Sequence, residues 1–460
     1  MSPGAEPAEP QLALAPADRS ARSFALRASG LPQAARLLGC AVAIGAREIA
    51  GRPFDAFAGG GARRARRRAA SARRLARVLG ELKGPFAKAG QFAALRYDVL
   101  DPSVRSAFAE LQDRVPPRPF GEIAATVEAE LGAPLDAAFA AFEPAPIGAA
   151  SIAQVHRARL PSGETVAVKV QYPWLARSLP ADLAITRRLL RFLTPRRDAI
   201  DREQLFAEFA AGLAEELDFE REARVAAEIA ANLAHDAQVV VPTVHRALST
   251  RRVLVMSWTP AIPIGDHAAL AARGVPIADV VATLARAYAK QIFADGLFHA
   301  DPHPGNLFVI DEPDASFRPR VLFIDFGLAK RLDPALRREL RTGIHALLRR
   351  DVEGFLDGME RMDMIAPGAR DGVRAAVAAM FDRIAAEGQV LGLGGGQVLA
   401  LKDHAKQLLE ETPGLQLPND LLLYAKTLSY LFAVGAALDP SVDLMKLTVP
   451  YLLRFLAERS

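Results

Sequence analysis

The most informative segment of the sequence is His299-Ala300-Asp301-Pro302-His303-Pro304-Gly305-Asn306. A second acidic segment, Asp325-Phe326-Gly327, follows it along the chain. Between them lie two short apolar runs, 307–310 and 321–324, which are rich in β-branched and aromatic residues and are separated by a polar stretch with two prolines. This pattern predicts a strand–loop–strand hairpin. Such a hairpin folds back on itself and should bring Asp325 beside Asn306.

The residue types in these segments indicate phosphate chemistry. An Asp, an Asn five residues later and a second Asp are the groups that kinase-like enzymes arrange around ATP and magnesium. We expect Asp301 to orient or deprotonate the attacking hydroxyl or water. Asn306 and Asp325 are the expected magnesium ligands, because Mg²⁺ prefers oxygen donors and binds together with nucleotide phosphates. His299 is expected to brace the loop through hydrogen bonds.

A metal-hydrolase interpretation also has to be weighed. His299 and His303 have the i, i+4 spacing of a zinc-binding helix. Pro302 and Pro304 oppose that interpretation, because each removes a backbone donor and pushes the preceding residue away from helical dihedral angles. The segment is therefore predicted to be a rigid loop, and zinc is the disfavoured alternative.

Strand patterns also occur upstream of this segment. Runs 151–156 and 165–170 alternate as strands across a turn signal, and runs 239–244 and 253–257 are predicted to complete the same small sheet. Lys169 lies near the end of the second run, on the face that would cover a nucleotide. A point charge on a long stem suits the α- and β-phosphates. A solvated strand-end lysine is the alternative.

The lysine needs a carboxylate to hold it in place. A long acidic helix is predicted over about 201–235, and it contains a cluster of acidic residues. On one continuous helix Asp218 and Glu222 share a face, while Glu216 points well away from Asp218. We assign Glu222 as the partner of Lys169.

The phosphate-covering loop is predicted within 146–151. Its expected nucleotide-binding residues are Gly148, Ala149, Ala150 and Ser151. This loop stands in place of the G-x-G-x-x-G of ordinary protein kinases, and alanine side chains keep the backbone from approaching phosphate as closely as glycine allows. We therefore expect an altered nucleotide pose and suppressed phosphoryl transfer to protein.

Taken together, these motifs resemble the UbiB/ADCK (AarF-type) atypical kinase family. The family's K-x-G-Q motif is met at 88–91, and the likeness runs from about residue 65 to near the C-terminus. The resemblance implies that the K-x-G-Q helix lies over the site where a protein kinase would receive a peptide. It places Lys88 and Gln91 toward the nucleotide cleft and pairs Lys88 with Glu216.

The resemblance also carries functional implications. It implies an ATPase or unorthodox kinase with ATP and Mg²⁺ as cofactors, tied to ubiquinone or other isoprenoid-lipid metabolism. An isoprenoid lipid or quinone precursor is then the implied partner.

Three departures from the family pattern bear on function. Gly148 stands where the family commonly has the first alanine of its loop, so the brake on kinase-like activity is expected to be weaker. The C-terminal part lacks the membrane-spanning helices of UbiB itself, and its longest apolar run, 421–438, is interrupted by Lys426. No A-P-E segment follows Asp325-Phe326-Gly327, so phosphorylation-controlled activation is not expected.

The predicted fold class is α+β. It is a protein-kinase-like bilobal fold with a small β-rich N-lobe, a larger helical C-lobe and a helical N-terminal extension. The predicted boundaries are 1–62 for a tail and basic helical segment, 63–142 for the K-x-G-Q extension, 143–260 for the N-lobe and 261–460 for the C-lobe. Within the extension, residues 121–142 are predicted as one helix or a helix pair.

Composition sets broader limits. The chain has 460 residues, 51% apolar and 24% charged, as expected for two or three ordinary domains or lobes. The single cysteine, Cys40, cannot form an internal disulfide, which favours a reducing, cytoplasmic setting.

The charge is unevenly distributed. Segment 17–80 contains fourteen arginines and three acidic residues, whereas the whole chain has a net charge of only +4. The arginine run 63–77 faces either anionic lipid headgroups at the inner face of a membrane or solvent. No nucleic-acid reading motif accompanies it, so no nucleic-acid partner is expected.

Three functions stay open at this point. The first is an enzyme that hydrolyses ATP or transfers its phosphoryl group. The second is a module in which ATP only switches a lipid- or protein-binding surface, and the third is a small-molecule kinase of the aminoglycoside or choline type. The K-x-G-Q extension argues against the third.

Overall fold

The computed structural model describes residues 31–51, 53, 60–95, 117–193, 202–311, 318–387 and 412–458. Most of the predicted N-terminal tail lies outside these residues. The described helices, in chain order, are α1 (Leu31–Gly51), α2 (Gly60–Leu82), α3 (Pro85–Leu95), α4 (Phe120–Leu131), α5 (Leu135–Ala138), α6 (Leu175–Leu193), α7 (Arg202–Glu216), α8 (Phe219–Leu233), α9 (His267–Ala272), α10 (Ile277–Ala289), α11 (Pro334–Arg349), α12 (Val352–Arg361), α13 (Arg370–Glu387), α14 (Asn419–Leu438) and α15 (Leu444–Ala457).

The strands are short and belong to three sheets. The described strands are β1 (Ala141–Ala149), β2 (Ala153–Arg159), β3 (Thr165–Gln171), β4 (Val239–Val240), β5 (Val253–Ser257), β6 (Ala261–Pro263), β7 (Leu297–Phe298), β8 (Leu307–Ile310), β9 (Val321–Phe323) and β10 (Lys330–Arg331). The spatial orders are β1-β2-β3-β5, β4-β9-β8-β6 and β10-β7.

The helical extension packs beside the first sheet. Leu37 and Cys40 of α1 contact Leu79 of α2 in a small buried cluster. The chain turns sharply between α2 and α3, where Lys83 and Gly84 both adopt left-handed backbone conformations with φ of 64° and 54°. The helical extension is therefore broken just before the K-x-G-Q helix.

The segment 121–142, predicted as one helix or a helix pair, contains the pair α4 and α5. Gly132 closes α4 in a left-handed conformation with φ of 67°, and the short α5 follows it. Glycine is the residue that most readily ends a helix in this way. The chain then enters β1 at residue 141, a strand that the sequence interpretation missed.

The single helix predicted over 201–235 is wrong. Two helices, α7 and α8, occupy this region, and Asp218 stands between them in an extended conformation. Its side chain accepts a hydrogen bond from the backbone nitrogen of Arg221 at 2.9 Å. Aspartate is favoured as such an N-cap because it satisfies a backbone donor that the helix leaves unpaired. The helical-face argument made for Glu216 and Asp218 therefore does not hold.

The runs 239–244 and 253–257 do not complete one sheet. β5 pairs with β3 as expected, whereas β4 pairs in parallel with β9 in the second sheet. Pro242 follows β4 closely, and a proline cannot donate to a strand ladder. Further along the same run, Val244 forms an isolated antiparallel bridge with Met256 of β5.

The C-terminal part is mainly helical and has its own core. Tyr288, Phe298 and Phe323 are fully buried there, and Leu431 of α14 packs in the same cluster. Within the described chain, one helix, Asp420–Leu438, is long and apolar enough to cross a membrane by length and composition. Its most apolar stretch is 44% buried inside the protein, and it contributes to this core.

Candidate functional site

Lys169 lies at the centre of the cleft. It belongs to β3, which continues two residues beyond it, and it is 8% exposed. Its Nζ donates to both carboxylate oxygens of Glu222, at 2.9 and 3.0 Å, and to Oδ1 of Asp325 at 3.0 Å. The predicted pair of Lys169 and Glu222 is therefore present, and Asp325 joins it.

Glu222 reaches the lysine because α8 begins just before it. The Asp218 cap starts the helix at Phe219, which places Glu222 in the first turn. The Phe219 ring lies 5.1 Å from the Lys169 ammonium, and the backbone nitrogen of Phe326 donates to Glu222 at 3.2 Å. The break between α7 and α8 thus aims the carboxylate into the cleft.

The three charges form a compact unit of one ammonium and two carboxylates. Burial acts to lower the pKa of Lys169, but the carboxylates of Asp325 and Glu222 outweigh it and hold the pKa well above its ordinary value. Burial raises the pKa of Glu222 to about 7, with the Asp325 charge adding to the effect and Lys169 opposing it. The attraction of Lys169 outweighs desolvation at Asp325 and holds its pKa well below its usual range.

The K-x-G-Q helix contributes a second ion pair. Lys88 of α3 contacts Glu216 at the end of α7 through its ammonium group. Burial raises the pKa of Glu216, and Lys88 opposes that shift. Gln91 lies one turn further along α3 and is half-buried. The contact implied by the family resemblance is therefore present for Lys88.

Gly327 marks where the acidic groups meet. A Cβ atom at this position would lie 3.3 Å from Asp325 Oδ1, 3.5 Å from Glu222 Oε2 and 3.6 Å from Glu216 Cγ. A side chain at position 327 would press against the carboxylates that bind Lys169 and against Glu216, which binds Lys88. The Asp-Phe-Gly segment and the carboxylates from α7 and α8 therefore form one continuous site.

The loop at 299–306 is braced from several directions. His299 is fully buried, and its ring nitrogens contact the Tyr288 hydroxyl at 3.0 Å and the Ile324 carbonyl at 2.9 Å. Its backbone nitrogen donates to Gln291 in a single π-helical turn, at 2.9 Å. His299 thus holds the loop against the hairpin, as expected. His303 accepts from the backbone nitrogen of Gly305 at 3.1 Å.

Asp301 and Asn306 face each other across that loop. Asn306 Nδ2 donates to Asp301 Oδ2 at 3.0 Å, so the amide oxygen of Asn306 takes no part in this bond. The predicted hairpin is present, and the backbone nitrogen of Ile324 donates to the Asn306 carbonyl at 3.0 Å. Asn306 therefore lies beside the start of the Asp325 segment.

Asp325 has a strained backbone, with a left-handed φ of 62°. Non-glycine residues in this region are uncommon and concentrate at functional sites. Its contacts to Lys169 and Gly327 both use Oδ1. The amide oxygen of Asn306 and the Asp325 carboxylate are oxygen donors that suit Mg²⁺ shared with nucleotide phosphates. Among the residues described by the structure, no cluster of three or more His, Cys, Asp or Glu could hold a metal, so the zinc interpretation gains no support.

The predicted phosphate-covering loop is shorter than expected. Gly148 and Ala149 belong to β1, where they pair with β2. The turn proper begins at Ala150, whose carbonyl accepts from the Tyr172 hydroxyl at 3.0 Å. Ser151 is buried, and its carbonyl accepts from the backbone nitrogen of Gly84 at 3.3 Å. This turn is thus tied to the start of the K-x-G-Q helix.

One residue of the cleft was missed by the sequence interpretation. Lys426 of α14 places its Nζ 3.1 Å from Asp301 Oδ1. The sequence signal was available, since Lys426 is the single charge within the apolar run 421–438. Its 125-residue separation from Asp301 gave no means of pairing the two.

The two four-stranded sheets and the cleft beside them define a protein-kinase-like bilobal fold of the α+β class, as predicted. The model of the ABC1 atypical kinase-like domain matches residues 110–358. The chain belongs to this family.

Relatives support the same assignment. A probable protein kinase UbiB from Xanthomonas axonopodis pv. citri is 33% identical over 405 residues, which cover 84% of this chain and 70% of the relative. An uncharacterized protein of Synechocystis sp. is 31% identical over 405 residues, covering 85% of this chain and 68% of the relative. A solved complex of Rv3197 with erythromycin, from Mycobacterium tuberculosis, has a TM-score of 0.52 and 23% identity, covering 75% of this chain and 85% of that one, and it supports the fold.

Proposed function

We propose that the protein is a magnesium-dependent, ATP-binding atypical kinase or ATPase that serves ubiquinone or other isoprenoid-lipid metabolism. The observation that carries the proposal is the bonding of Lys169 to both Glu222 and Asp325, beside the Asp301–Asn306 pair. This arrangement matches the division of labour in phosphoryl transfer, which depends on positioning and on charge stabilisation.

Each residue then has a role that follows from its position. Lys169 binds the α- and β-phosphates, and Glu222 holds its ammonium in place. Asn306 and Asp325 hold Mg²⁺, which when bound neutralises charge on the phosphate oxygens. Asp301 orients the attacking hydroxyl or water and accepts its proton.

The K-x-G-Q helix restricts the size of the molecule that can accept the phosphoryl group. Its Lys88 is tied to Glu216, and the turn at Ser151 is tied to Gly84 just before the helix. These contacts hold the helix against the cleft. A small acceptor, such as water or the head of a lipid precursor, is therefore favoured over a peptide.

The test is magnesium-dependent ATP hydrolysis by the full chain and by Asp325→Asn. We expect a loss of about 100-fold or more in the variant, because the charge that holds the metal is removed. Asp382→Asn, a change of the same type at an exposed position on α13, is the matched control and should retain the wild-type rate. Equal rates in wild type and Asp325→Asn contradict the proposal.

The ties between the covering turn and the extension also favour a second candidate, an ATP-gated binding module without turnover. Nucleotide would then stabilise the cleft and alter the surface of the extension. Asp301→Ala should in that case keep nucleotide-dependent thermal stabilisation together with lipid binding. A variant that loses lipid binding along with catalysis counts against this candidate.

We further propose peripheral contact with an anionic membrane. α1 exposes Leu38, Val42 and Ile49, which are 62–66% accessible. Its packing partner α2 exposes most of the arginines of the run 63–77. Apolar and basic side chains together are what an interfacial surface requires. Flotation with phosphatidylglycerol vesicles, but not with phosphatidylcholine vesicles, is the expected result, and flotation that persists after Arg63, Arg64, Arg66 and Arg68 are changed to Gln contradicts it.

A further inference from the structure

Lys426 has a contact that the proposed roles do not explain. Its Nζ lies 3.1 Å from Asp301 Oδ1, while Asp301 Oδ2 accepts from Asn306. The two oxygens of the predicted base are thus held by different partners. The ammonium lies at the end of the cleft where the attacking hydroxyl or water is expected.

The setting of this lysine is unusual. The run 421–438 has no other charged side chain, and Leu422 and Leu423 on the same helix are buried. The Lys426 side chain is only 18% exposed, and its ammonium lies 5.5 Å from the Tyr430 ring centroid. A partly buried charge is stabilised by an anionic partner. Its position therefore calls for an anionic partner in the cleft.

Packing fixes the helix that carries it. The Tyr424 ring packs edge-on against Phe298, with centroids 6.1 Å apart, and Phe298 immediately precedes His299. Thr427 is fully buried beside Lys426, and Leu431 belongs to the main C-lobe core. The helix and the catalytic loop thus share a rigid contact. The distance from Lys426 to Asp301 is therefore set by the core.

The loop 299–306, which carries Asp301, has no strongly basic side chain of its own. Residues 299–306 include neither Lys nor Arg. Lys169 is held by Glu222 and Asp325 at the other side of the cleft, and Lys88 is held by Glu216. Phosphoryl transfer places negative charge on the oxygens of the moving group, and a fixed cation beside them stabilises the transition state.

We propose that Lys426 is a further catalytic residue that binds the γ-phosphate of ATP, an inference that rests on the proposed function. In the reaction, the bond from the γ-phosphorus to the bridging oxygen breaks, and its electron pair stays on ADP. A bond forms to the oxygen of the acceptor hydroxyl or water, whose proton passes to Asp301. The ammonium group of Lys426 offsets charge on the γ-phosphate oxygens. Before ATP binds, the same ammonium neutralises Asp301.

The test is the preference of the full chain for ATP over ADP in the presence of Mg²⁺. Affinities are measured by competition against a fluorescent ADP analogue. In Lys426→Met the affinity for ATP should fall about tenfold or more, the loss expected for one charge-assisted contact, while the affinity for ADP changes less than about twofold. Lys426→Arg should recover most of the preference. Lys446→Met, at an exposed lysine of α15, is the matched control and should behave as wild type.

The outcomes separate this inference from the function it rests on. The ratio of the two affinities is taken within one variant, so it does not depend on the folded fraction. If Lys426→Met keeps the wild-type ratio, even with reduced thermal stability, the lysine is structural and the inference is overturned while the proposed function stands. If the wild-type chain binds neither nucleotide, the proposed function is overturned, and the inference with it.

Discussion

Lys169 and Lys426 lie in the same cleft but are held by different sets of contacts. Lys169 is set in a β-sheet, and its ammonium contacts two carboxylates. Lys426 is set on a helix near the C-terminus and contacts one carboxylate, with both side chains 18–26% exposed. We infer that Lys169 is fixed by burial and charge balance, whereas Lys426 is positioned by packing and can exchange Asp301 for a bound ligand.

The largest loss of stability is expected when the buried Lys169 is replaced. Lys169→Met leaves Glu222 buried without its partner, and we expect it to lower the free energy of unfolding by roughly 3–5 kcal/mol. Thermal or urea unfolding of the purified variant measures the loss. Lys446→Met serves as the control, and a loss below about 1 kcal/mol in Lys169→Met would contradict the description of this cluster as a tightly coupled unit.

The ion pair of the extension should show the next largest effect. Lys88→Met leaves the buried Glu216 unpaired and is expected to cost about 2–3 kcal/mol. The double variant Lys88→Met/Glu216→Gln removes both charges and should recover most of that loss. The measurement is a double-mutant cycle of unfolding free energies, and strict additivity would show that the two side chains do not interact.

The raised pKa of Glu222 leads to a pH dependence of definite sign. The folded protein binds this proton more tightly than the unfolded chain, whose carboxyl titrates near 4.5. The contribution of Glu222 to stability is therefore complete below pH 4.5 and is lost as the pH rises through about 7. Between pH 5 and 8, wild type should lose about 2 kcal/mol relative to Glu222→Gln. A gap that stays constant, or changes in the opposite direction, contradicts the assignment.

The smallest effect on stability is expected at Lys426. Because its ion pair is partly exposed, Lys426→Met should lower the free energy of unfolding by about 1 kcal/mol or less. If Lys426 is positioned by packing and Lys169 is structural, Lys426→Met must lower the free energy of unfolding much less than Lys169→Met does. A loss as large as that of Lys169→Met would show that both lysines are structural.

The sequence predicted most of the site because its parts are local. The two strands between Asn306 and Asp325 come from short apolar runs that lie close together in the sequence, so the proximity of these two residues could be predicted. The pair of Lys169 and Glu222 was also predicted, but from the wrong premise of one continuous helix. The capping role of Asp218 decides that region, and a cap is hard to distinguish from a helical aspartate within an acidic cluster.

What escaped prediction depends on contacts distant in sequence. β4 was predicted to belong to the first sheet, but it pairs with β9. A strand of two residues has too short a sequence pattern to predict which sheet it joins. In the sequence, Lys426 is only an interruption of an apolar helix, and its role becomes visible when the fold brings it beside Asp301. In both cases the deciding partner lies 80 or more residues away, where periodicity gives no information.

The most direct test of the central claim is the magnesium dependence of ATP binding, measured by calorimetry with and without Mg²⁺. The wild-type chain should bind ATP at least about tenfold more tightly with Mg²⁺, because in the proposed function Asn306 and Asp325 hold the ion against the phosphates. Asp325→Asn should lose that dependence, whereas Asp382→Asn should keep it. An equal effect of Mg²⁺ on wild type and Asp325→Asn would contradict the account.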